Sequence, residues 1–114
     1  MSIIKEKIIQ VTKFYFKCFQ NKNLKELENI FANTIYLVDW EKKIKGKKKN
    51  LNFLKKVFVN NTFQIQLKNF FLHKNKRIIS CQILIKLKNK KIKVIDIISF
   101  NKKYEITKIE AYKC

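Results

Sequence analysis

The stretch IKVIDIISFN, from Ile92 to Asn101, decides the fold of this chain. Side chains two residues apart lie on the same face of a β-strand, and here one such face is apolar except for Asp96. The stretch therefore predicts a strand with a buried face that carries one carboxyl group in its middle. A carboxylate at such a position is costly unless it is paired or neutral, so Asp96 indicates a functional site.

Three more segments with a period of two surround this strand. They predict strands at about Thr62 to Leu72, Ile78 to Leu87 and Ile106 to Tyr112. The turns between them are short and polar, as at Lys88 to Lys91. Short turns join antiparallel neighbours, because a parallel pair needs a long crossover.

The N-terminal half has apolar residues at helical spacing in three segments. The first runs from Ser2 to about Gln20 and forms one apolar stripe. A short second helix begins behind Asn23, which resembles a capping box together with Glu26. Asn50 is predicted to cap the third helix.

A further strand is predicted between the second and third helices, from Thr34 to Trp40. Its alternation places Ile35, Leu37 and Asp39 on one face. Asp39 thus stands at the end of an apolar face, beside a loop rich in lysine.

The whole chain, residues 1–114, is predicted to be one domain. No apolar segment is long enough to span a membrane, and three cysteines (Cys18, Cys81 and Cys114) form no close metal-ligand pair. We expect a cytoplasmic protein with reduced thiols and no membrane partner.

The net charge of +19 is typical of proteins that bind nucleic acid. However, only Arg77 among the 27 basic residues is arginine, the residue that reads phosphate and guanine edges bidentately. The excess of Lys, Ile and Asn is what an AT-rich genome encodes, so we do not expect a nucleic-acid partner. The alternative, a polyanion site, would lie at the densest patch, which is formed by Lys42, Lys43, Lys45, Lys47, Lys48 and Lys49.

Three proton-handling residues, Tyr15, Asp39 and Asp96, occupy positions where the pattern calls for an apolar side chain. Desolvation favours the neutral form of a carboxyl, so Asp96 is expected to be protonated and able to donate a hydrogen bond. Asp39, at a strand end, is expected to accept a proton. Together the three residues predict a buried acid-base site.

The order helix, helix, strand, helix and four antiparallel strands resembles the nuclear transport factor 2-like superfamily, which includes the SnoaL-like proteins and the ketosteroid isomerases. Leu24 follows Tyr15 at the interval that separates the second helix of the isomerases from their oxyanion-hole tyrosine. Phe31 and Ala32 resemble the family's Phe-Ala helix end, and counting on from them without a gap brings the family's base onto Asp39.

The segment from Asp96 to Asn101 is similar to the isomerases' Asp-x-x-x-Phe-Asn, which carries their second oxyanion-hole residue. Two departures are visible: the loop from Asp39 to Gly46 is shorter than in the isomerases, and the chain ends at Cys114, before their last pocket-lining segment. We therefore expect a more open pocket.

The resemblance implies an α+β fold in which three N-terminal helices pack on a strongly curved, mixed and mostly antiparallel sheet, forming a cone with a central pocket. It implies that Asp39 is a base, and that Tyr15 and neutral Asp96 stabilise an enolate, in a cofactor-free isomerase or cyclase that acts on an apolar carbonyl compound. No metal is required. The side chains implied to contact the substrate are those of Phe19, Trp40, Phe58, Ile83, Val94, Ile98 and Ala111.

Structural accounts of the same residues remain open. Tyr15 could bury its ring, Asp39 could accept hydrogen bonds from backbone amides of the following loop, and Asp96 could pair with a lysine or with His73. A non-catalytic ligand-binding module and a protein-interaction module are therefore alternatives. A homodimer through the sheet face is expected in any case, because that face is predicted to expose Phe63, Ile65, Leu67, Ile95 and Ile97.

Overall fold

The computed structural model describes residues 2–114, which form three α-helices and six β-strands. In chain order they are α1 (Ile3–Gln20), α2 (Leu24–Ile30), β1 (Phe31–Val38), β2 (Lys43–Lys45), α3 (Lys47–Asn60), β3 (Gln64–Leu72), β4 (Ile78–Lys86), β5 (Lys91–Phe100) and β6 (Ile106–Lys113). The predicted α+β class and the order of the elements are confirmed.

The strands form one curved sheet in the order β2-β1-β6-β5-β4-β3. β1 is parallel to β6, and every other neighbouring pair is antiparallel, as the short turns predicted. The concave face packs against the helices and carries most of the buried core, including Ile79, Ile98 and Ile106, each 0% exposed.

The first two helices begin and end as elementary capping rules require. The side chain of Ser2 accepts from the backbone N–H of Lys5, and that of Asn23 accepts from Glu26, which confirms the predicted cap. α1 ends in a Schellman pattern, in which Asn23 N donates to Cys18 O (2.8 Å) and Lys22 N donates to Phe19 O (3.1 Å).

One prediction about the middle of the chain is wrong, and one strand was missed. α3 begins at Lys47, so Asn50 lies inside its first turns and Gly46 is the N-cap residue. Gly46 adopts a φ of 96°, a conformation that favours glycine, and this lets the chain turn from β2 directly into the helix. β2 itself was not predicted, because three residues dominated by lysine carry no apolar alternation.

The predicted composition of the exposed sheet face also needs correction. Phe63 is buried, and Ile65 and Leu67 pack against the core from the concave face. Of the predicted set, Ile95 and Ile97 lie on the convex face. The alternation of β3 shifts at a bulge between Leu67 and Asn69, which the sequence pattern does not reveal.

The three cysteines are free; Cys18 and Cys81 are buried, and Cys114 is exposed. Within residues 2–114, no helix combines the length and the apolar character needed to cross a membrane.

Candidate active site

A cavity of about 200 Å³ lies between the helices and the concave face of the sheet. Its wall is almost wholly apolar, and it is shaped by residues of α1, α3 and five of the strands or their ends. Eight of the ten predicted site residues line it: Tyr15, Phe19, Asp39, Trp40, Ile83, Val94, Asp96 and Ala111.

The other two predicted residues lie outside the lining. The ring of Phe58 packs edge-on against Phe19, with 5.1 Å between centroids, and also contacts Phe63. Ile98 is 0% exposed, because it lies between Ile79 and Ile109 on the two neighbouring strands. Both side chains belong to the hydrophobic core. The spacing of apolar residues in a strand or helix shows that a side chain points inward, but it does not show whether that side chain meets the core or a cavity.

Asp96 lies in the middle of β5 with its side chain on the concave face and is 6% exposed. Its directly opposite neighbours are Cys81 on β4 and Ala111 on β6. These apolar surroundings raise the pKa of Asp96 from 3.8 to about 7, and burial is the cause. No lysine or histidine within residues 2–114 compensates the carboxyl, and His73 is exposed in a turn.

Tyr15 lies on α1 and is 4% exposed, with its ring packed among Phe16, Phe19 and Phe31. Burial raises the pKa of its hydroxyl well above 10, and the nearby charge of Asp96 raises that pKa further. The hydroxyl is therefore a neutral hydrogen-bond donor near the carboxyl of Asp96, in the same cavity.

Asp39 directly follows β1 and is half-buried. Its Oδ1 accepts from the backbone N–H groups of Glu41 and Lys42, both at 2.7 Å, and its own N–H donates to Lys42 O at 2.9 Å. The structural account of Asp39 therefore holds for Oδ1. Among residues 2–114, Oδ2 has no such partner.

Strand register relates the two carboxyl groups. Val38 pairs with Glu110 in the parallel ladder, so Asp39 stands one residue further on, beside Ala111. Ala111 is in turn opposite Asp96. Two strand spacings amount to about 10 Å between the backbones at Asp39 and Asp96. A small planar ligand can bridge this separation once both side chains reach into the cavity.

Aromatic and cationic groups surround the mouth of the cavity. Trp40 is 46% exposed and has the Lys113 ammonium 6.0 Å from its ring centre. The Lys42 ammonium lies 4.7 Å from the ring centre of Phe53, which lines the cavity. Lysine charge thus lies near the entrance while the interior stays apolar.

The interior presents the hydroxyl of Tyr15, the carboxyl of Asp96, which is a proton donor below a pH of about 7, and one oxygen of Asp39. Donors fixed in a dry site stabilise negative charge that develops on a ligand oxygen. Within residues 2–114 no group of three or more His, Cys, Asp or Glu side chains is arranged to hold a metal ion.

Asn50 is a polar lining residue that sequence reasoning did not place in the cavity. It is 2% exposed, and its Nδ2 donates to Gly46 O at 2.8 Å and to Ile44 O at 3.1 Å. Its position in an apolar helical face was the available signal, but Asn near a helix start is more often read as a cap.

By sequence, the chain matches no family model and no curated protein. Solved structures do match. An NTF2-like protein from Cytophaga hutchinsonii has a TM-score of 0.77 at 12% identity over 100% of this chain and 92% of its own. The epoxide hydrolase/cyclase-like enzyme SalBIII, which has a role in pyran ring formation in salinomycin, has a TM-score of 0.85 at 11% identity over 96% and 92%.

RV0760c from Mycobacterium tuberculosis, in complex with estradiol-17beta-hemisuccinate, has a TM-score of 0.82 at 13% identity over 92% of both chains. Ketosteroid isomerase-like and SnoaL-like proteins are also among the matches. At such identities the likeness shows the fold alone, and one fold hosts many functions.

Proposed function

We propose that this chain, which has the fold of the nuclear transport factor 2-like superfamily, binds a compact carbonyl compound in its apolar cavity and transfers a proton on the carbon next to the carbonyl. The observation that carries the proposal is the buried carboxyl of Asp96, which no cation within residues 2–114 compensates, in one cavity with the Tyr15 hydroxyl and the Asp39 carboxyl group. A buried acid without a partner is costly for a purely structural role.

In this reaction Asp39 Oδ2 takes the proton from the carbon next to the carbonyl. The electron pair of the broken C–H bond forms the enolate, whose negative oxygen accepts hydrogen bonds from Tyr15 and from protonated Asp96. The proton on Asp39 then returns to another carbon of the enolate, and the double bond moves. Reactant and product are isomers, so atoms and electrons balance without a co-reactant.

The pKa of Asp96 sets the direction of the pH dependence. Below about 7 the carboxyl is neutral and donates a hydrogen bond to the enolate. Above that pH it carries a negative charge, which repels the enolate and withdraws the donor. We therefore expect the proposed activity to fall as the pH rises through 7.

Binding of 2-naphthol, a phenol that mimics an enolate, tests the site without knowledge of the substrate. The expected result is binding that tightens in Asp39→Asn, where a negative neighbour is removed, and that is lost in Asp96→Leu. Asp39→Asn keeps the loop, because the amide oxygen that it introduces can still accept from Glu41 N and Lys42 N. Absent binding, or binding indifferent to both changes, would overturn the proposal.

A second candidate, a non-catalytic binding protein, is favoured by the two backbone N–H donors that engage Asp39 Oδ1. Proton exchange separates the two functions. An enzyme of the proposed kind exchanges hydrogens next to the carbonyl of small cyclic ketones in D₂O, observable by NMR, and Asp39→Asn abolishes that exchange. A binding protein takes up 2-naphthol without catalysing exchange.

We also propose a homodimer through the convex face of the sheet. This face carries the exposed ring of Phe71 (56%) in the same row as Ser80 and Ile97, and the exposed ring of Tyr112 (52%) opposite Ile95. The net charge of +19 on each copy opposes association, so salt should promote it. Light scattering at 0.3 M salt should give a dimer for the wild type and a monomer for Ile97→Lys; a wild-type monomer would contradict the proposal.

A further inference from the structure

The side-chain amide of Asn50 forms hydrogen bonds through its nitrogen, whereas its oxygen has no partner among residues 2–114. Nδ2 donates to Gly46 O at 2.8 Å and to Ile44 O at 3.1 Å, and it lies 3.5 Å from Ile35 O. An amide nitrogen has two hydrogens, so these carbonyls use its full donor capacity. They also fix the amide orientation, because an oxygen in that place would face three other oxygens.

Oδ1 is then the only free polar atom of the side chain. It has no hydrogen-bonding partner among residues 2–114. Among the described residues, Arg77 Nη1 is the one side-chain polar atom that is both unpaired and fully sealed from solvent, so Asn50 Oδ1 keeps some accessible surface. Asn50 is 2% exposed and lines the cavity with Tyr15 and Asp96. Oδ1 is thus an unpaired acceptor on a buried residue that lines the cavity.

Tertiary structure separates this acceptor from the donors of the site. The carbonyls that hold Asn50 belong to β1, β2 and the start of α3, whereas Asp96 lies on β5, two strands from β1. A ligand that fills the cavity thus meets donors on one side and an acceptor on the other.

We propose that Asn50 Oδ1 accepts a hydrogen bond from the ligand, and that the ligand is a compact ring compound with a hydroxyl or amino group in addition to its carbonyl. The cavity volume of about 200 Å³ supports a small ligand, since sites for drug-sized ligands measure roughly 300–1,000 Å³. The inference rests on the proposed function, because the carbonyl end is taken to meet Tyr15 and Asp96.

The cost of leaving Oδ1 unpaired provides the selectivity. A ligand without a donor displaces water from Oδ1 and leaves this oxygen without a hydrogen bond. A ligand with a correctly placed donor replaces the hydrogen bond to water with one of its own. Asn50 would thus select among ligands of similar size and apolar character.

Fluorescence titration with 2-naphthol, 2,6-dihydroxynaphthalene, 2,7-dihydroxynaphthalene and the monomethyl ethers of the two diols tests this inference. We expect one diol to bind about 3- to 10-fold more tightly than both 2-naphthol and its own ether, the gain typical of one neutral hydrogen bond. In Asn50→Leu the ratio of the two affinities, diol to 2-naphthol, should fall to about one. Asn52→Leu, the same change at an exposed position of α3, should keep the preference.

A wild type that prefers neither diol overturns the inference and leaves the proposed function intact. Preference that survives in Asn50→Leu also overturns it. If Asn50→Leu does not fold, the wild-type comparison of each diol with 2-naphthol and with its ether decides. Failure of 2-naphthol to bind the wild type overturns the proposed function, and the inference falls with it.

Discussion

Ala111 lies directly opposite Asp96 in the antiparallel pair of β5 and β6, and both side chains line the cavity. Directly opposite residues have Cβ atoms about 4.5–5.5 Å apart, so the size of residue 111 decides how much room is left beside the carboxyl. A methyl group at this place leaves space for a ligand where a larger side chain would fill it.

Ala111→Leu should therefore abolish binding of 2-naphthol while leaving the free energy of unfolding within about 1 kcal/mol of the wild type, because the new side chain enters open space. Ala32→Leu is the matched control, since Ala32 is buried (4% exposed) outside the cavity lining. That change should cost about 1–3 kcal/mol through overpacking. Urea unfolding and fluorescence titration measure both effects, and tight 2-naphthol binding by Ala111→Leu would contradict the placement.

Asp96→Asn should stabilise the protein at high pH and lose that advantage at low pH. The pKa of Asp96 is raised to about 7 in the folded state, so the folded protein binds more protons than the unfolded chain between about pH 4 and 7. Stability from this group is present at the acidic end and is lost as the pH rises through 7. We expect a gain on the order of 1–3 kcal/mol at pH 8 and none near pH 4.

Urea unfolding of wild type and Asp96→Asn at several pH values measures this difference. Asp39→Asn serves as the control, because it removes a carboxylate that is half-buried at a strand end. A difference between wild type and Asp96→Asn that does not change with pH would be inconsistent with a raised pKa.

Tyr15→Phe should keep the fold and weaken binding of 2-naphthol about 10-fold. The ring contacts with Phe16, Phe19 and Phe31 remain, and only the hydroxyl that would donate to the ligand oxygen is lost. Tyr104→Phe is the matched control, because Tyr104 stacks on Arg77 away from the cavity. Unchanged affinity in Tyr15→Phe would assign Tyr15 to packing alone.

Two backbone changes should shift stability in opposite directions. Gly46→Ala should cost about 1–3 kcal/mol although an added Cβ meets no atom within 4 Å, because the φ of 96° is itself unfavourable for alanine. Lys22→Gly should gain up to about 1 kcal/mol, because Lys22 occupies the left-handed position after α1 with a φ of 60°. Thermal unfolding compares them, and equal signs would refute this interpretation of the two positions.

The sequence by itself determined all the elements except β2, and it determined the buried faces on which Tyr15 and Asp96 lie. Apolar residues with a period of 3.6 and of two mark α1 and β5, and these periods place Tyr15 and Asp96 on buried faces whatever the sheet order. The cap at Asn23 was equally readable, because capping depends on residues three positions apart.

Only the tertiary structure decided what depends on contacts between distant segments. The bulge at Lys68 shifted the alternation of β3 beyond Leu67, and the parallel pairing of β1 with β6 brought Asp39 beside Ala111. Because α3 began at Lys47, directly after Gly46, Asn50 lies within the helix and is buried. Phe58 and Ile98 became core and Asn50 became cavity wall for the same reason. Periodicity reports the direction in which a side chain points, whereas the space in front of it is set by residues far away in the chain.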